Sequence, residues 1–306
     1  MTERTVFLVN PASANGATGK RWPEIAHRAA LEGLNGDALI SARAGDITEL
    51  AERAARSGAD LVVVVGGDGT INEAVNGLLR VGERPELAVL AQGTGDDFIR
   101  THAIPSGLAD AIAVARDGTP RVIDVGRVAY RQWDGTPGER HFANVASAGM
   151  SGAVAQRANR TSKALGGRVT FFYALTREFL VWRNGDVTVE VAGEVRRGPM
   201  HDVVVANGAF HGGAMKLAPD AQPDDGEFDV LLIGDVSKLD FLTTAPKLYS
   251  GKHLGHPKVE VLRGPVVDVD AGVPLPLETD GEVLGTTPAR FEIVPRALRV
   301  RVPRQR

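Results

Sequence analysis

The most informative absence in this chain of 306 residues is cysteine, which does not occur at all. Disulfide bonds and thiolate metal sites are therefore excluded, and a reducing cytosol is acceptable. No apolar run approaches the roughly 20 residues that a membrane-spanning helix needs, and the N-terminus enters a strand without a signal-peptide core. We expect a cytoplasmic protein with no transmembrane segment, whose contact with lipid can only be peripheral, at the inner surface of the membrane.

Strong charge of either sign is also missing. With 35 Lys and Arg against 38 Asp and Glu, the net charge is −3, which gives no support to a nucleic-acid partner. Several catalytic motifs are absent as well: the P-loop, the Gly-x-Gly-x-x-Gly dinucleotide fingerprint, the Gly-x-Ser-x-Gly elbow of serine hydrolases, and any metal-binding spacing among the seven histidines.

Residues 61–73 read Leu-Val-Val-Val-Val-Gly-Gly-Asp-Gly-Thr-Ile-Asn-Glu and are the most informative segment that is present. Leu61–Val65 has the uninterrupted aliphatic composition of a parallel strand covered on both faces. The glycines that follow predict a turn with positive φ, open to phosphate oxygens. Thr70 and Glu73 have the spacing of a capping box, which predicts a helix from residue 71 to 79.

Asp68 lies inside this glycine-rich turn. Its carboxylate would repel a bare phosphate, so Mg²⁺ or a bound water network is expected between the two, and the turn favours a metal-complexed nucleotide. A plain strand-to-helix turn rich in glycine is the alternative.

The pattern of predicted secondary structure changes near residue 121. Before it, strands and helices alternate, which predicts a parallel sheet with functional loops after its strands, at Asn10, 66–70 and 93–97. After it, short strand-like segments separated by Gly, Pro and Asp predict an antiparallel sandwich, interrupted by a helical region over 153–183. We predict an α/β plus all-β protein: an N-terminal α/β domain over residues 1–122 and a C-terminal β-sandwich domain over residues 123–306, whose last strand can pack back on the first domain. A site between the domains is the default expectation.

Four segments together resemble the diacylglycerol kinase catalytic-domain family, which includes bacterial lipid kinases and sphingosine kinases. They are Asn10-Pro-Ala-Ser13, Gly66-Gly-Asp-Gly-Thr-Ile-Asn72, Gly93-Thr-Gly-Asp-Asp-Phe98 and Asp280-Gly-Glu282. Segments 207–213 and 218–226 extend the resemblance over nearly the whole chain. Gly-Gly-Asp-Gly-Thr alone is shared with NAD kinases and phosphofructokinases, whereas the set is much more specific.

The resemblance implies an ATP site built from three loops. The residues it places there are Asn10, Pro11, Ala12, Ser13, Ala14, Ser41, Gly66, Gly67, Asp68, Gly69, Thr70, Ile71, Asn72, Thr94 and Asp97. Two departures are visible: Asp96 stands where the family usually has Asn, and Ala14-Asn15 replaces a usual Ser-Gly pair.

The resemblance also implies a structural Mg²⁺ site at the turn Asp224-Asp225-Gly226. Asp225 would supply a carboxylate, and Gln222 and Glu227 would supply backbone carbonyls, a sparse ligand set that suits Mg²⁺. A plain β-turn is the alternative, since Asp-Gly is an ideal turn sequence.

Asp280 and Glu282 are the candidates for the group that accepts the proton of the phosphorylated hydroxyl. Two residues apart, they are expected on one side of an extended chain, with Asp280 as first choice for the base. A solvated hairpin turn is the alternative.

Six basic residues and one acid, Glu178, lie between residues 157 and 183: Arg157, Arg160, Lys163, Arg168, Arg177 and Arg183. Phe171, Leu175, Phe179 and Trp182 share one face of a helix there. Such a segment suits either an anionic membrane surface or a core-packing helix with solvated arginines.

Taken together, the residues and the resemblance predict a kinase that transfers phosphate from Mg-ATP to a lipid alcohol, with diacylglycerol as the leading acceptor. An NAD kinase-like enzyme is the first alternative, although the Thr-Gly-Ser-Thr-Ala-Tyr-like motif of that family is absent. A non-catalytic nucleotide-binding regulator is the second. Exposed strand edges permit a homodimer without requiring one.

Overall fold

The computed structural model of the protein describes residues 3–160 and 175–304. The chain divides into two compact units. Unit 1 comprises Met1–Asp124 and Arg296–Arg306, and unit 2 comprises Val125–Pro295.

Unit 1 is built on a parallel sheet, as predicted. Its strands are β1 (Thr5–Val9), β2 (Asp37–Ile40), β3 (Leu61–Gly66) and β4 (Glu86–Ala91), in the order β4-β3-β1-β2. The chain returns at its far end, because β15 (Glu282–Val302) pairs in parallel with β4 through Val300 and Leu87. All residues of β1 and β3 are buried, as expected for strands covered on both faces.

Five helices accompany this sheet in the described part of unit 1: α1 (Ala17–Leu31), α2 (Asp46–Arg56), α3 (Asp68–Leu78), α4 (Asp97–Thr101) and α5 (Leu108–Asp117). Helices α2 and α3 pack closely. A Cβ atom on Gly77 of α3 would lie 2.1 Å from the carbonyl oxygen of Thr48, so only glycine allows this approach.

The strands of unit 2 form two largely antiparallel sheets that are continuous through the shared strand β15 and enclose one core, which confirms the predicted class of its fold. One sheet follows the order β12 (Val259–Gly264), β11 (Phe228–Ile233), β10 (Asp202–Ala206), β7 (Val145–Gly149), β14 (Pro276–Thr279) and β15. The other contains β9 (Glu194–Met200), β8 (Gly185–Val191), β13 (Val266–Ala271), β15, β5 (Thr119–Arg131) and β6 (Pro137–Phe142).

Three fully buried phenylalanines lie at the centre of the core shared by the two sheets. The ring of Phe142 stacks on Phe228 at a centroid distance of 5.6 Å and meets Phe291 edge-on at 6.2 Å. These are the offset and edge arrangements that aromatic rings prefer.

The described part of unit 2 contains three α-helices: α6 (Met150–Arg160), α7 (residues 175–181) and α8 (Lys238–Thr244). Leu175, Phe179 and Trp182 pack against Met150 and Val154, so this face of the predicted basic segment is part of the core. Phe171, Lys163 and Arg168 lie outside the described residues. No helix within residues 3–160 and 175–304 is long and apolar enough to cross a bilayer.

Candidate active site

Four loops of unit 1 follow parallel strands and therefore meet at one edge of the sheet. Asn10 follows β1, Ser41 follows β2, Gly67 follows β3, and residues 92–96 follow β4. The sequence predicted this placement for the first, third and fourth of these loops from the strand assignments alone.

Asn10 connects the first of these loops to the glycine-rich turn. Its side-chain amide donates to Thr70 Oγ1 at 3.0 Å, and its Oδ1 accepts from the Ala12 amide at 3.1 Å. The amide of Asn10 donates to the Val65 carbonyl at 3.1 Å. The side chain and the backbone of Asn10 are therefore both fixed by hydrogen bonds.

The loop after Asn10 is unusual because Ala14 and Asn15 have left-handed φ values of 50° and 55°. Glycine adopts this conformation without strain, and asparagine tolerates it. Ser13 stabilises the loop, since its hydroxyl bonds the Asn10 carbonyl at 2.9 Å and lies 2.6 Å from Thr18 Oγ1. Ala12 and Ala14 are exposed, and Pro11 is half-buried.

The glycine-rich turn differs from the prediction in its backbone. None of Gly66, Gly67 and Gly69 has positive φ. Glycine is needed for close contact instead, because a Cβ on Gly66 would lie 2.4 Å from Thr70 Oγ1 and one on Gly67 would lie 3.1 Å from the Gly93 Cα.

The predicted capping box is wrong, because α3 begins at Asp68 with Gly67 as its N-cap and no side-chain cap. Thr70 and Glu73 both lie inside the helix. Glu73 instead accepts the amides of Gly45 and Ile47, each at 3.2 Å, at the start of α2. Ile71 and Asn72 are buried in α3.

Asp68 occupies the first turn of α3, where the positive end of the helix dipole stabilises a carboxylate. Its Oδ1 accepts the Phe98 amide at 3.1 Å, which connects α3 to the loop after β4. A Cβ on Gly95 would lie 2.5 Å from Asp68 Oδ2 and 3.7 Å from Asp97 Oδ2. The two carboxylates therefore flank Gly95.

Asp96 adds a third acid to this loop. Burial raises the pKa of Asp96, the charge of Arg100 opposes the rise, and Asp97 adds to it. Asp97 is buried and lies 3.9 Å from Arg100, while Thr94 is exposed and Ser41 is buried. The loop thus concentrates negative charge beside a helix N-terminus, an arrangement that suits phosphates only when a cation accompanies them.

In unit 2, Asp280 and Gly281 form the two-residue loop between β14 and β15. Their φ values of 49° and 85° are those of a type I′ turn, for which Asp-Gly is strongly preferred. The expectation that Asp280 and Glu282 share one side of an extended chain is wrong, because Glu282 pairs across the loop with Thr279. Asp280 is half-buried and Glu282 is exposed.

The Asp280 carboxylate is held by three backbone amides. Its Oδ2 accepts from Ala143, and its Oδ1 accepts from Asn144 and Val145, each at 3.0 Å. Donors of this kind stabilise an ionised carboxylate and fix its orientation.

The predicted Mg²⁺ turn lies beside an arginine. Arg263 forms ion pairs with Asp225, with Glu227 at 3.3 Å and with Asp229 at 3.3 Å. Burial raises the pKa of Asp229, and Asp225, Asp220 and Glu227 add to the rise against the charge of Arg263. Three acids thus surround one guanidinium, and no group of three metal-ligating side chains occurs among the described residues. Gln222 is exposed at the start of this turn.

Sequence reasoning missed three polar residues beneath the Asp280 loop: Ser147 and Glu278, which are buried, and His211, which is half-buried. The one available signal was the position of Glu278, two residues before Asp280.

Comparison with known families gives two matches along the chain. The diacylglycerol kinase catalytic domain matches residues 4–128, and the YegS C-terminal NAD kinase beta sandwich-like domain matches residues 144–302.

Relatives of similar length are known. A protein of Staphylococcus carnosus named diacylglycerol kinase is 28% identical over 306 residues, which cover 99% of this chain and 96% of the relative. One from Staphylococcus aureus with the same name is 28% identical over 305 residues, which cover 99% and 93%.

Solved structures share the fold. The crystal structure of a diacylglycerol kinase from Bacillus anthracis superposes with a TM-score of 0.73 at 22% identity, covering 98% of this chain and 97% of that one. Yeast NADH kinase complexed with NADH superposes with a TM-score of 0.53 at 11% identity, covering 99% and 84%.

Proposed function

Since this chain belongs to the diacylglycerol kinase catalytic-domain family, we propose that it transfers the γ-phosphoryl group of Mg-ATP to the hydroxyl of a lipid alcohol. Membership of the family confirms the resemblance inferred from the sequence, and it makes the chain a kinase. Diacylglycerol is the leading acceptor, which would give phosphatidic acid.

The observation that carries the proposal is the position of Asp68. It lies in the first turn of α3, bonds the Phe98 amide and flanks Gly95 together with Asp97. Phosphoryl transfer is catalysed mainly by positioning and by stabilisation of charge. In this role the first turn of α3, which contains Thr70, and the loop that begins at Asn10 bind the phosphates, while Asp68 and Asp97 orient them.

Mg²⁺ bound with ATP would neutralise charge that develops on the phosphates. A second ion would be held by Asp225 with the carbonyls of Gln222 and Glu227, where the surrounding acids exceed the one arginine. We assign that second ion a structural role only.

Asp280 is the proposed proton acceptor. Its carboxylate is anchored by three amides and can therefore orient a hydroxyl. Because the transition state of phosphoryl transfer is loose, the acceptor proton leaves late and a weakly basic carboxylate is sufficient. Glu282, exposed at the start of β15, is the alternative base.

The acceptor is proposed to reach the protein from a membrane surface. Arg157 is paired with Glu178, so it supports this proposal weakly. The better support is an exposed apolar surface on α7, α8 and the segment that follows them, which we call the α7–α8 surface. It comprises Leu180, Val181, Leu239, Leu242 and Tyr249, with the exposed basic residues Arg177, Lys238, Lys247 and Lys252 around it.

The test is transfer of labelled γ-phosphate from Mg-ATP to a panel of lipid alcohols in mixed micelles, with NAD as a soluble acceptor. We expect labelled phosphatidic acid. Labelled NADP would favour an NAD kinase-like activity. The fold is compatible with that outcome, since yeast NADH kinase superposes on this chain. ATP binding with no transfer to any acceptor would favour a non-catalytic regulator.

In the same assay, Asp68→Asn should lower kcat about 100-fold or more, because a preorganised charge is lost. The melting temperature should stay within a few degrees, since the Asn Oδ1 can still accept the Phe98 amide. Near-normal turnover would contradict the role of Asp68.

A further inference from the structure

Glu278 is a carboxylate buried in the interior of unit 2, with 1% of its side chain exposed. It lies on β14, directly opposite Ser147 of β7 in the antiparallel ladder. A buried ionised carboxylate costs several kcal/mol unless both oxygens are bonded. Its partners therefore indicate what the residue does.

Each oxygen of Glu278 is bonded. Oε1 accepts from the Ser147 hydroxyl at 2.8 Å and lies 3.1 Å from His211 Nε2. Oε2 accepts the amide of Gly281 at 2.8 Å. One side of the carboxylate is thus held by the core, and the other side holds the loop that carries Asp280.

Gly281 is the second residue of that loop, with a φ of 85°. The first residue, Asp280, donates its amide to the Val145 carbonyl at 2.8 Å and directs its carboxylate at the amides of Ala143–Val145. A loop of two residues has little freedom, so the position of the Gly281 amide determines where the Asp280 carboxylate lies.

We propose that Glu278, oriented by His211 and Ser147, is the positioning residue that holds the Asp280 loop in its catalytic geometry. The inference rests on the proposed role of Asp280. It adds three supporting residues, Glu278, His211 and Ser147, that lie outside the sequence motifs. Neither Glu278 nor His211 contacts the reacting atoms in this proposal.

The protonation of Glu278 agrees with this role. Burial acts to raise the pKa of Glu278, but the charge of His211 and the hydrogen bonds from His211, Ser147 and Gly281 outweigh it, so the pKa lies below its ordinary value. The carboxylate therefore stays ionised and keeps both oxygens as acceptors.

The test compares Glu278→Gln with Asp202→Asn, a matched control. Asp202 is also buried in the same unit, but its carboxylate accepts from Ser151 instead of from the Asp280 loop. In Glu278→Gln one oxygen becomes an NH2 group, which can only donate. If it faces Gly281, the bond to the loop is lost; if it faces Ser147 and His211, it meets the imidazole that bonds Oε1 in the wild type and repels it.

Hydrogen exchange of the backbone amides that bond Asp280 reports on the position of the loop without requiring enzyme activity. We expect the amides of Ala143, Asn144 and Val145 to exchange about tenfold faster in Glu278→Gln than in the wild type under matched conditions. Asp202→Asn should leave them unchanged. Unchanged exchange in Glu278→Gln, or equal acceleration in both variants, would overturn the proposal.

Kinetics then separates positioning from general stability. Glu278→Gln should lower kcat for the lipid acceptor about tenfold, while the KM for ATP stays within about twofold. In an Asp280→Asn background the same substitution should change kcat less than about twofold, because the residue through which it acts is already altered. Equal factors in both backgrounds would overturn the proposal.

Ser147→Ala removes only one bond to Glu278 and serves if Glu278→Gln fails to fold. It should show the same pattern with smaller factors, and a wild-type loop in this variant would count against the proposal. A wild-type enzyme that phosphorylates no lipid would refute the proposed function alone, since the exchange result stands without it.

Discussion

At the scale of single residues, Asp280 combines two demands on one carboxylate. It is the proposed proton acceptor, and it also satisfies three backbone amides of residues 143–145. A substitution there therefore affects activity and stability together, whereas the exposed Glu282 can affect activity alone.

We predict that Asp280→Asn lowers kcat by about 100-fold and lowers the free energy of unfolding by about 1–3 kcal/mol, because its amide group would face a backbone donor. Glu282→Gln is the matched comparison and should leave the unfolding free energy within about 0.5 kcal/mol. Label transfer and urea denaturation measure the two effects. A larger loss of kcat in Glu282→Gln than in Asp280→Asn would make Glu282 the base.

Two adjacent residues of unit 2 give opposite dependences of stability on pH. Burial lowers the pKa of His201 from 6.5 to about 4, so its contribution is present above pH 6.5 and is lost as pH falls toward 4. Burial raises the pKa of Asp202 from 3.8 to about 7. The contribution of Asp202 to the free energy of unfolding is present below pH 3.8 and is lost as pH rises through 7.

We predict that Asp202→Asn removes the second dependence and leaves the first. Between pH 4 and 7 the unfolding free energy of the variant should rise relative to the wild type, by at most about 1.4 kcal/mol per pH unit. Denaturant titrations at three pH values measure it, with the exposed Asp186→Asn as control. Parallel curves for the variant and the wild type would contradict the pKa shift of Asp202.

At the scale of helices and strands, the start of α2 depends on a side chain from α3. Glu73 accepts the amides of Gly45 and Ile47, which are among the unpaired donors at a helix N-terminus. Its negative charge also lies where the dipole of α2 favours it.

We predict that Glu73→Ala lowers the free energy of unfolding by about 1–2 kcal/mol, the usual cost of losing a cap. Glu49→Ala, an exposed acid in the first turn of α2, should cost less. Thermal and urea unfolding of the two variants would measure the difference, and equal losses would show that Glu73 does not cap α2.

The elements differ in how far the sequence predicted them. Aliphatic runs identified β1 and β3, because buried parallel strands need them. Helix α1 and strand β2 were missed, since α1 contains Pro23 and β2 is largely exposed. The Asp280–Gly281 loop was missed although Asp-Gly is a hairpin signal, because two-residue spacing was interpreted as extended chain.

The sequence predicted the position of candidate residues where the order of strands and helices determines it. Asp68 and Asn10 follow strands whose order the alternation implies. Glu278 and His211 could not be found in this way, because their pairing joins residues 67 positions apart through the tertiary fold. The cap from Glu73 to Gly45 was missed for the same reason, with the nearer Thr70 as a plausible but wrong partner.

At the scale of the whole molecule, access to a membrane lipid depends on the exposed apolar side chains of the protein surface rather than on the catalytic residues. On the α7–α8 surface, Leu239 is 70% exposed, and Leu242 and Tyr249 are each 61% exposed. Apolar side chains of this size on a surface with lysines at its rim are typical of proteins that bind anionic interfaces.

We predict that the double variant Leu239→Ser and Leu242→Ser binds vesicles containing phosphatidylglycerol about tenfold or more weakly, because it loses apolar area that the interface would bury. Val273→Ser is the matched control, since Val273 is 74% exposed outside this surface. Vesicle sedimentation measures binding, and phosphorylation of a short-chain soluble acceptor should be unchanged. Equal binding by both variants would contradict the role of the α7–α8 surface.

Unit 1 is completed by residues from both ends of the chain. Arg301, 8% exposed, forms ion pairs with Glu3 and, at 2.8 Å, with Glu86, and donates to the Ala115 carbonyl at 2.6 Å. Residues 296–302 cover the edge of β4 that would otherwise end the parallel sheet.

Because residues 296–302 are synthesised last, the edge of β4 that they cover is completed late in synthesis. Domains generally fold as they emerge, N-terminal first. Here the strand that emerges fourth keeps an open edge until more than 200 further residues have been translated, counting from Ala91 to Arg296. Open strand edges recruit other chains. The part of the protein that is made first is therefore the part that is finished last, and it passes through the ribosome-bound stage with its sheet unprotected.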